Sequence, residues 1–207
     1  MQIIKPVIVG VHEGVTIFER RAVLAAIREM VRRASMGRHV RVVLAPDAPI
    51  EKYVEKARRE SERSRQFSAF ALLKNVHDEP WMPRLHYDVV VVRDDVYAGS
   101  CHFVVGLSVR GVGSVISVAR FRELASPQRE ECIKTVAMHE IGHVFGLISR
   151  RRRAAVDVRL GRHCANRCIM RQGLRVPDDW IAMTNDRLHG DALCARCVCD
   201  LREFFEN

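Results

Sequence analysis

Long apolar runs are missing from this 207-residue sequence. No stretch of about 18 uncharged apolar residues occurs, so nothing reads as a membrane span, and residues 1–10 read as a short strand rather than a secretion signal. Lysine is scarce: of 34 basic residues only five are lysine, leaving 29 arginines. Aromatic residues are also few, 6% of the chain, and they do not alternate with the basic runs. The net charge of +9 therefore reads as solvated, ion-paired surface rather than as a dedicated nucleic-acid face. There is no internal repeat, and the one low-complexity stretch is Arg150-Arg151-Arg152-Arg153. No alternation of oxygen ligands follows Asp94-Asp95, which excludes a calcium loop and leaves a turn.

Apolar residues make up 48% of the chain, enough for a sizeable core in one domain or two small subdomains. Valine-rich runs at 2–10, 39–45, 86–92, 101–109 and 114–119 predict five strands. An amphipathic pattern at 17–34, ended by Gly37, predicts the first helix. The charged stretch 51–66 reads as a solvated helix face. It continues into the apolar Phe67, Phe70, Ala71, Leu72, Leu73 and Val76, and Pro80 and Pro83 end it. Strand and helix alternate, which predicts a mixed α/β (α+β) fold with a twisted, mostly parallel five-stranded sheet. Residues 1–147 form the sheet-and-helix part. Residues 148–207 form a smaller C-terminal subdomain with too few apolar residues to hold itself and little regular pattern beyond a short helix around Trp180, Ile181, Met183 and Leu188.

Seven cysteines are an odd number, and five of them lie in that tail. Cys164 and Cys168 are spaced C-x3-C, Cys194 and Cys197 C-x2-C. In a chain without a visible secretion signal this favours reduced thiolates on one zinc ion over disulfides, and it places the protein in the cytoplasm. Cys199 is a spare, and Cys101 and Cys132 read as small core residues. The segment His139-Glu140-Ile141-Gly142-His143 contains H-E-x-x-H. On a helix, His139 and His143 share a face and can hold one metal ion, with Glu140 beside it as a general base. The helix is predicted over about 127–146, with Ser126 as its cap, Pro127 in its first turn and Gly146 as its stop.

Together with His163-Cys164, Cys168-Ile169-Met170 and Cys194-Ala195-Arg196-Cys197, this segment resembles the archaemetzincins. These are metzincin-clan zinc peptidases with the pattern H-E-x-x-H-x-x-G-x-x-H-C, then Cys-x-Met and a later C-x-x-C. The resemblance implies a zincin-like fold and a zinc-dependent metallopeptidase, acting as a monomer on peptides or unfolded protein segments. It implies two zinc ions per chain. His139, His143 and His163 would hold the catalytic one, with Glu140 as the base that takes a proton from the attacking water. Cys164, Cys168, Cys194 and Cys197 would hold the structural one. Met170 would be the Met-turn residue beneath the histidines, and 101–109 the edge strand that receives an extended peptide.

The sequence departs from the pattern in places. The position of the third histidine is Ser149, and the His-Cys pair comes 14 residues later. Between them lies a stretch, 150–162, with six arginines and one aspartate, a local charge of +5. The first cysteine pair is closer than usual, and the gap from Met170 to Cys194 is longer. Asp157 is an alternative third ligand, and His102 is a histidine within reach of the site. The alternative function is a non-catalytic zinc protein whose 150–162 loop binds nucleic acid, weakly and without specificity, or another acidic partner. A third is a structural zinc module with an empty catalytic site.

Overall fold

A computed structural model describes residues 5–34, 40–45, 48–81 and 85–206. The expectations at residues 2–4, Gly37, His39, Pro46 and Pro83 lie outside these. In chain order the elements are β1 (Val7–Val11), α1 (Ile17–Ala34), β2 (Val42–Leu44), α2 (Ile50–Arg59), β3 (Phe67–Ser68), α3 (Ala69–Asp78), β4 (Tyr87–Val92), β5 (Val96–Tyr97), β6 (Gly106–Val109), β7 (Gly113–Ser117), α4 (Ser126–Val144), β8 (Val156–Asp157), β9 (His163–Cys164), α5 (Asp178–His189) and α6 (Ala195–Glu206).

The main sheet has five strands in the order β2-β1-β4-β7-β6. Its first four strands are mutually parallel, and β6 closes one edge antiparallel to β7, with Leu107 opposite Val115 and Ser108 opposite Ser114. Helices cover both faces, so the central strands are buried on both sides and read as unbroken apolar runs. Along β4, Val89 and Val91 join the core under α1 and α4, while Val90 and Val92 join the core under α2 and α3. All four are fully buried, each worth about 1.5–3 kcal/mol of transfer free energy. α1 begins at a reciprocal cap: the Thr16 hydroxyl accepts from the Glu19 N–H at 3.2 Å, and the Glu19 carboxylate accepts from the Thr16 N–H at 2.8 Å.

The structure corrects the sequence reading at four places. The segment 51–76 is two helices. Ser61 bonds locally, its hydroxyl donating to the Gln66 carbonyl at 2.7 Å and accepting from the Arg63 N–H at 3.1 Å. This draws the chain out of the helix. Phe67 and Ser68 then pair with Val96 and Tyr97, and Ser68 caps α3. Of 101–109 only 106–109 lies in the main sheet. The carbonyls of Cys101 and His102 instead accept from Arg63, at 3.3 and 2.9 Å. At α4 the cap position is Ala125, while the Ser126 hydroxyl donates to Glu130. The tail holds a second helix, α6, whose Phe205 packs edge-on against Phe145 at 5.1 Å, so the tail's apolar residues join the main core. Among the described residues no helix is long and apolar enough to cross a membrane.

Candidate active site and metal centres

α4 packs against α1, β6, β7 and α5, and its last turns carry the histidines. Its end is a Schellman turn. Gly146, at φ 78°, takes the left-handed conformation that a side chain would strain. The Gly146 N–H then donates to the His143 carbonyl, and the Leu147 N–H to the Gly142 carbonyl, both at 3.0 Å. The turn folds the Leu147 carbonyl back to within 2.8 Å of His143 Nδ1. His139 Nδ1 lies 2.6 Å from the Ile169 carbonyl, one residue before Met170. A carbonyl can only accept, so each Nδ1 carries its proton and each Nε2 presents a bare lone pair.

Those two lone pairs face each other at 3.1 Å. No proton is available to bridge them, and the arrangement calls for a cation between them. Two nitrogens on one tetrahedral zinc are separated by about 3.3 Å for bonds of about 2.0–2.1 Å, so the spacing fits. His163 completes the group, its ring stacked on His139 at 5.2 Å and edge-on to His143 at 4.9 Å. One nitrogen from each of the three lies within 4.8 Å of the others. Burial holds all three below the ordinary imidazole range, His143 to about 4, so they are neutral at pH 7 as ligands must be.

His163 reaches this place on a hairpin. The chain leaves Ser149 and returns through β8 and β9, with Val156 paired to Cys164 and Asp157 to His163. Asp157, the alternative ligand, is held by Arg159 at 2.6 Å, which keeps its carboxyl down at about 2, and it is not among the clustered groups. Ser149 is buried, its N–H donating to Asp200 at 3.3 Å. Met170 packs its sulfur over Gly142, beneath the histidine pair, and its carbonyl accepts from the Cys164 N–H at 2.8 Å.

Glu140 is buried, and burial pushes its carboxyl up to about 7, partly opposed by Ser108. The Ser108 hydroxyl sits 2.6 Å from Glu140 Oε2 and 2.9 Å from the Glu140 carbonyl, with one proton to give. Gly106, two residues earlier on β6, leaves the space the Glu140 side chain fills. A Cβ there would come within 2.4 Å of that carboxyl group. Gly106 reads in the sequence as a strand glycine that permits a close approach, but Ser108 did not stand out, because a serine in a short strand carries no signal of what it packs against. Trp180 was also missed as a site residue. Its ring meets His139 edge-on at 5.2 Å.

Cys164, Cys168, Cys194 and Cys197 form the second group, their sulfurs within 4.8 Å of one another. Sγ of Cys164 and Cys194 are 3.7 Å apart, and Sγ of Cys168 and Cys197 are 3.8 Å apart. A tetrahedron of zinc–sulfur bonds near 2.3 Å has edges of about 3.8 Å, so this set fits a zinc ion too. The Cys164 thiol is pulled below the usual thiol range, chiefly by the Cys168 and Cys197 sulfurs. Cys199 is exposed and Cys132 is buried, while Cys101 is only half-buried, short of the core position expected for it.

The arginine-rich stretch holds a surprise at this group. Arg152 is buried. It donates to Cys164 Sγ at 3.0 Å and Cys197 Sγ at 3.4 Å, to Asp200 at 3.2 Å, and to the carbonyls of Ala154 and Ala155. Four thiolates on a divalent ion leave two negative charges, and one guanidinium halves that excess while pinning the foot of the hairpin. Replacing Arg152 by Leu leaves the Asp200 carboxylate without its counter-charge and removes both sulfur contacts. The Arg152→Leu protein should lose about 3–5 kcal/mol of unfolding free energy and react faster with a thiol reagent. An unchanged denaturation midpoint would remove Arg152 from this role.

A cavity of about 660 Å³ opens over the histidines, lined along one side by Gly106, Leu107 and Ser108 of the edge strand. His102 lies on its rim.

No protein-family model matches the chain. It is 30% identical over 115 residues to the archaemetzincin of Archaeoglobus fulgidus, covering 55% of this chain and 59% of that one. It is 33% identical over 107 residues to the archaemetzincin of Nanoarchaeum equitans, covering 52% and 49%. The matched stretch thus spans about half the length of these curated relatives. Among solved structures, the archaemetzincin of Methanopyrus kandleri aligns with a TM-score of 0.69 at 21% identity, over 98% of this chain and 96% of that one. The archaemetzincin of Archaeoglobus fulgidus complexed with malonate aligns at 0.62 and 20% identity, over 94% and 99%. A zinc-dependent peptidase from Methanocorpusculum labreanum aligns at 0.62 and 17% identity, over 94% and 99%. The chain resembles the archaemetzincins in sequence and shares their fold.

Proposed function

We propose that this chain is a zinc-dependent metallopeptidase of the archaemetzincin kind, hydrolysing peptide bonds in peptides or unfolded segments. The observation that carries the reading is the pair of proton-free Nε2 atoms facing each other beside a buried, hydroxyl-held carboxylate. His139, His143 and His163 are the residues that would hold the catalytic zinc. Cys164, Cys168, Cys194 and Cys197 would hold a second, structural one, giving two ions per chain. A zinc ion at the histidines supplies Lewis-acid polarisation of the scissile carbonyl and brings the pKa of a water near 7.

The protein's own groups do the rest. β6 stands at the sheet edge with backbone groups free to pair with an extended peptide, which sets the peptide's direction across the histidines. Glu140 accepts the proton of the attacking water and returns it to the leaving amine. The Ser108 hydroxyl and the space at Gly106 hold that carboxylate on the reaction side. Met170 supports the histidine pair from below and Trp180 walls it from the side. Seven free thiols suit a reducing compartment, the cytoplasm.

The test is cleavage of a fluorogenic peptide library with and without a chelator. Hydrolysis that stops on chelation and returns with added zinc supports the reading. A metal-loaded protein that cleaves no peptide in the library sinks it. The alternative, a nucleic-acid surface on 150–162, has less support, because Arg151, Arg152 and Arg159 are each paired with a carboxylate. Nucleic-acid affinity for this protein should be weak and fall steeply as salt rises, measurable by titration at two ionic strengths.

A further inference from the structure

The charge in the cavity is one-sided. Among the described residues, no carboxylate lines it apart from Glu140, already engaged by Ser108, whereas Arg110, Arg150 and Arg162 do. These three form no ion pair among the described residues, in contrast to their neighbours. Arg151 is paired with Glu203 at 2.8 Å, Arg152 with Asp200 at 3.2 Å and Arg159 with Asp157 at 2.6 Å. Arg162 donates to the carbonyls of Ser149 and Arg152, at 3.1 and 2.6 Å, and its Nε is buried with no hydrogen-bond partner among the described residues. The two carbonyls engage only its Nη2 and leave its charge uncompensated. Arg110 rests its guanidinium over the Phe204 ring at 5.7 Å, again without a counter-charge.

Three guanidiniums without a carboxylate partner around a cavity with apolar walls give it a positive potential, shared between the exposed Arg110 and Arg150 and the half-buried Arg162. A guanidinium presents forked donors that match a carboxylate's two oxygens. Two of the three arginines come from the 150–162 stretch, which the family pattern lacks. We infer that this cleft selects peptides carrying a carboxylate close to the scissile bond, with Arg150, Arg110 and Arg162 as the specificity-determining residues. The inference rests on the peptidase reading. The carboxylate has two possible sources, an acidic side chain or the peptide's own C-terminus.

Three peptides of one length separate the sources: one with Glu beside the cleavage site and an amidated end, its Gln counterpart with an amidated end, and that Gln peptide with a free C-terminus. Turnover is measured with the wild-type protein. Binding is measured by fluorescence anisotropy with the Glu140→Ala protein, at low and high salt. The expected result is at least a tenfold preference for one carboxylate peptide over the fully amidated Gln peptide, in kcat/KM and in Kd, shrinking as salt rises. The Arg150→Gln/Arg110→Gln double variant should lose the preference, and Arg150→Lys should keep part of it. Arg150 is exposed, so its replacement leaves the fold intact. Equal binding and turnover of all three peptides overturns the inference and leaves the peptidase reading standing, as does a preference undiminished in the double variant. Selective binding with no turnover of any peptide by the wild type removes the peptidase reading and, with it, the scissile bond from the inference, and supports only its carboxylate-selecting part.

Discussion

The His163→Ala protein should carry one zinc ion per chain where the wild type should carry two, and should lose peptide hydrolysis while keeping its fold. Two imidazoles remain, but their opposed lone pairs need a third ligand for a closed grip. Losing an outer partner of a ligand already costs roughly 10–100-fold in metal affinity, and losing a ligand costs more. The four sulfurs stay in place, because His163 contributes to their surroundings only through the backbone of Cys164. Elemental analysis and thermal melting decide the matter. A His163→Ala protein that retains both ions, beside an Asp157→Ala protein that drops one, would move the ligand role to Asp157. The Asp157–Arg159 ion pair argues against that outcome.

Glu140→Ala makes the opposite separation. Glu140 is not one of the clustered ligands, so its removal should leave zinc content unchanged while hydrolysis falls by roughly 10²–10⁴-fold, the usual contribution of a positioned acid–base group. Ser108→Ala is the milder companion. It frees the carboxylate without removing it, so it should lower kcat while leaving metal content alone. Equal turnover by Glu140→Ala and wild type would rule out Glu140 as the base.

Much of this was legible in the residues. The sheet's centre was readable because Val89 to Val92 must be buried on both faces and hence run without polar interruption. α4 was readable from its period, its Pro127 and Gly146. The histidine pair was readable from its spacing. The third histidine of the cluster was not readable from physics alone. β8 and β9 are two residues long, too short to show a period, and His163 was found by resemblance and by its bond to Cys164. The split between α2 and α3 was hidden because it turns on Ser61 bonding its own neighbourhood, with no Pro or Gly to mark it. Arg152 was misread outright. Four arginines in a row look alike in sequence, and nothing local says that the third is buried against sulfur while the first stays in solvent.

The hairpin between Ser149 and His163 has one further consequence. Both feet are fixed: Ser149 to Asp200, and His163 beside Cys164, whose sulfur Arg152 holds from the inside. Its outer segment carries the exposed Val158 and Leu160, and Leu160 already stands at the cleft mouth. A loop held so firmly at its base can be rewritten at its tip. Doubling its length adds only about 0.6 kcal/mol of closure cost, so foreign sequence spliced between Val158 and Leu160 would hang over the cleft without disturbing the histidine it delivers. The segment that departs from the archaemetzincin spacing is thus a natural grafting point, where an engineer could exchange one loop tip for another and leave the histidine cluster in place.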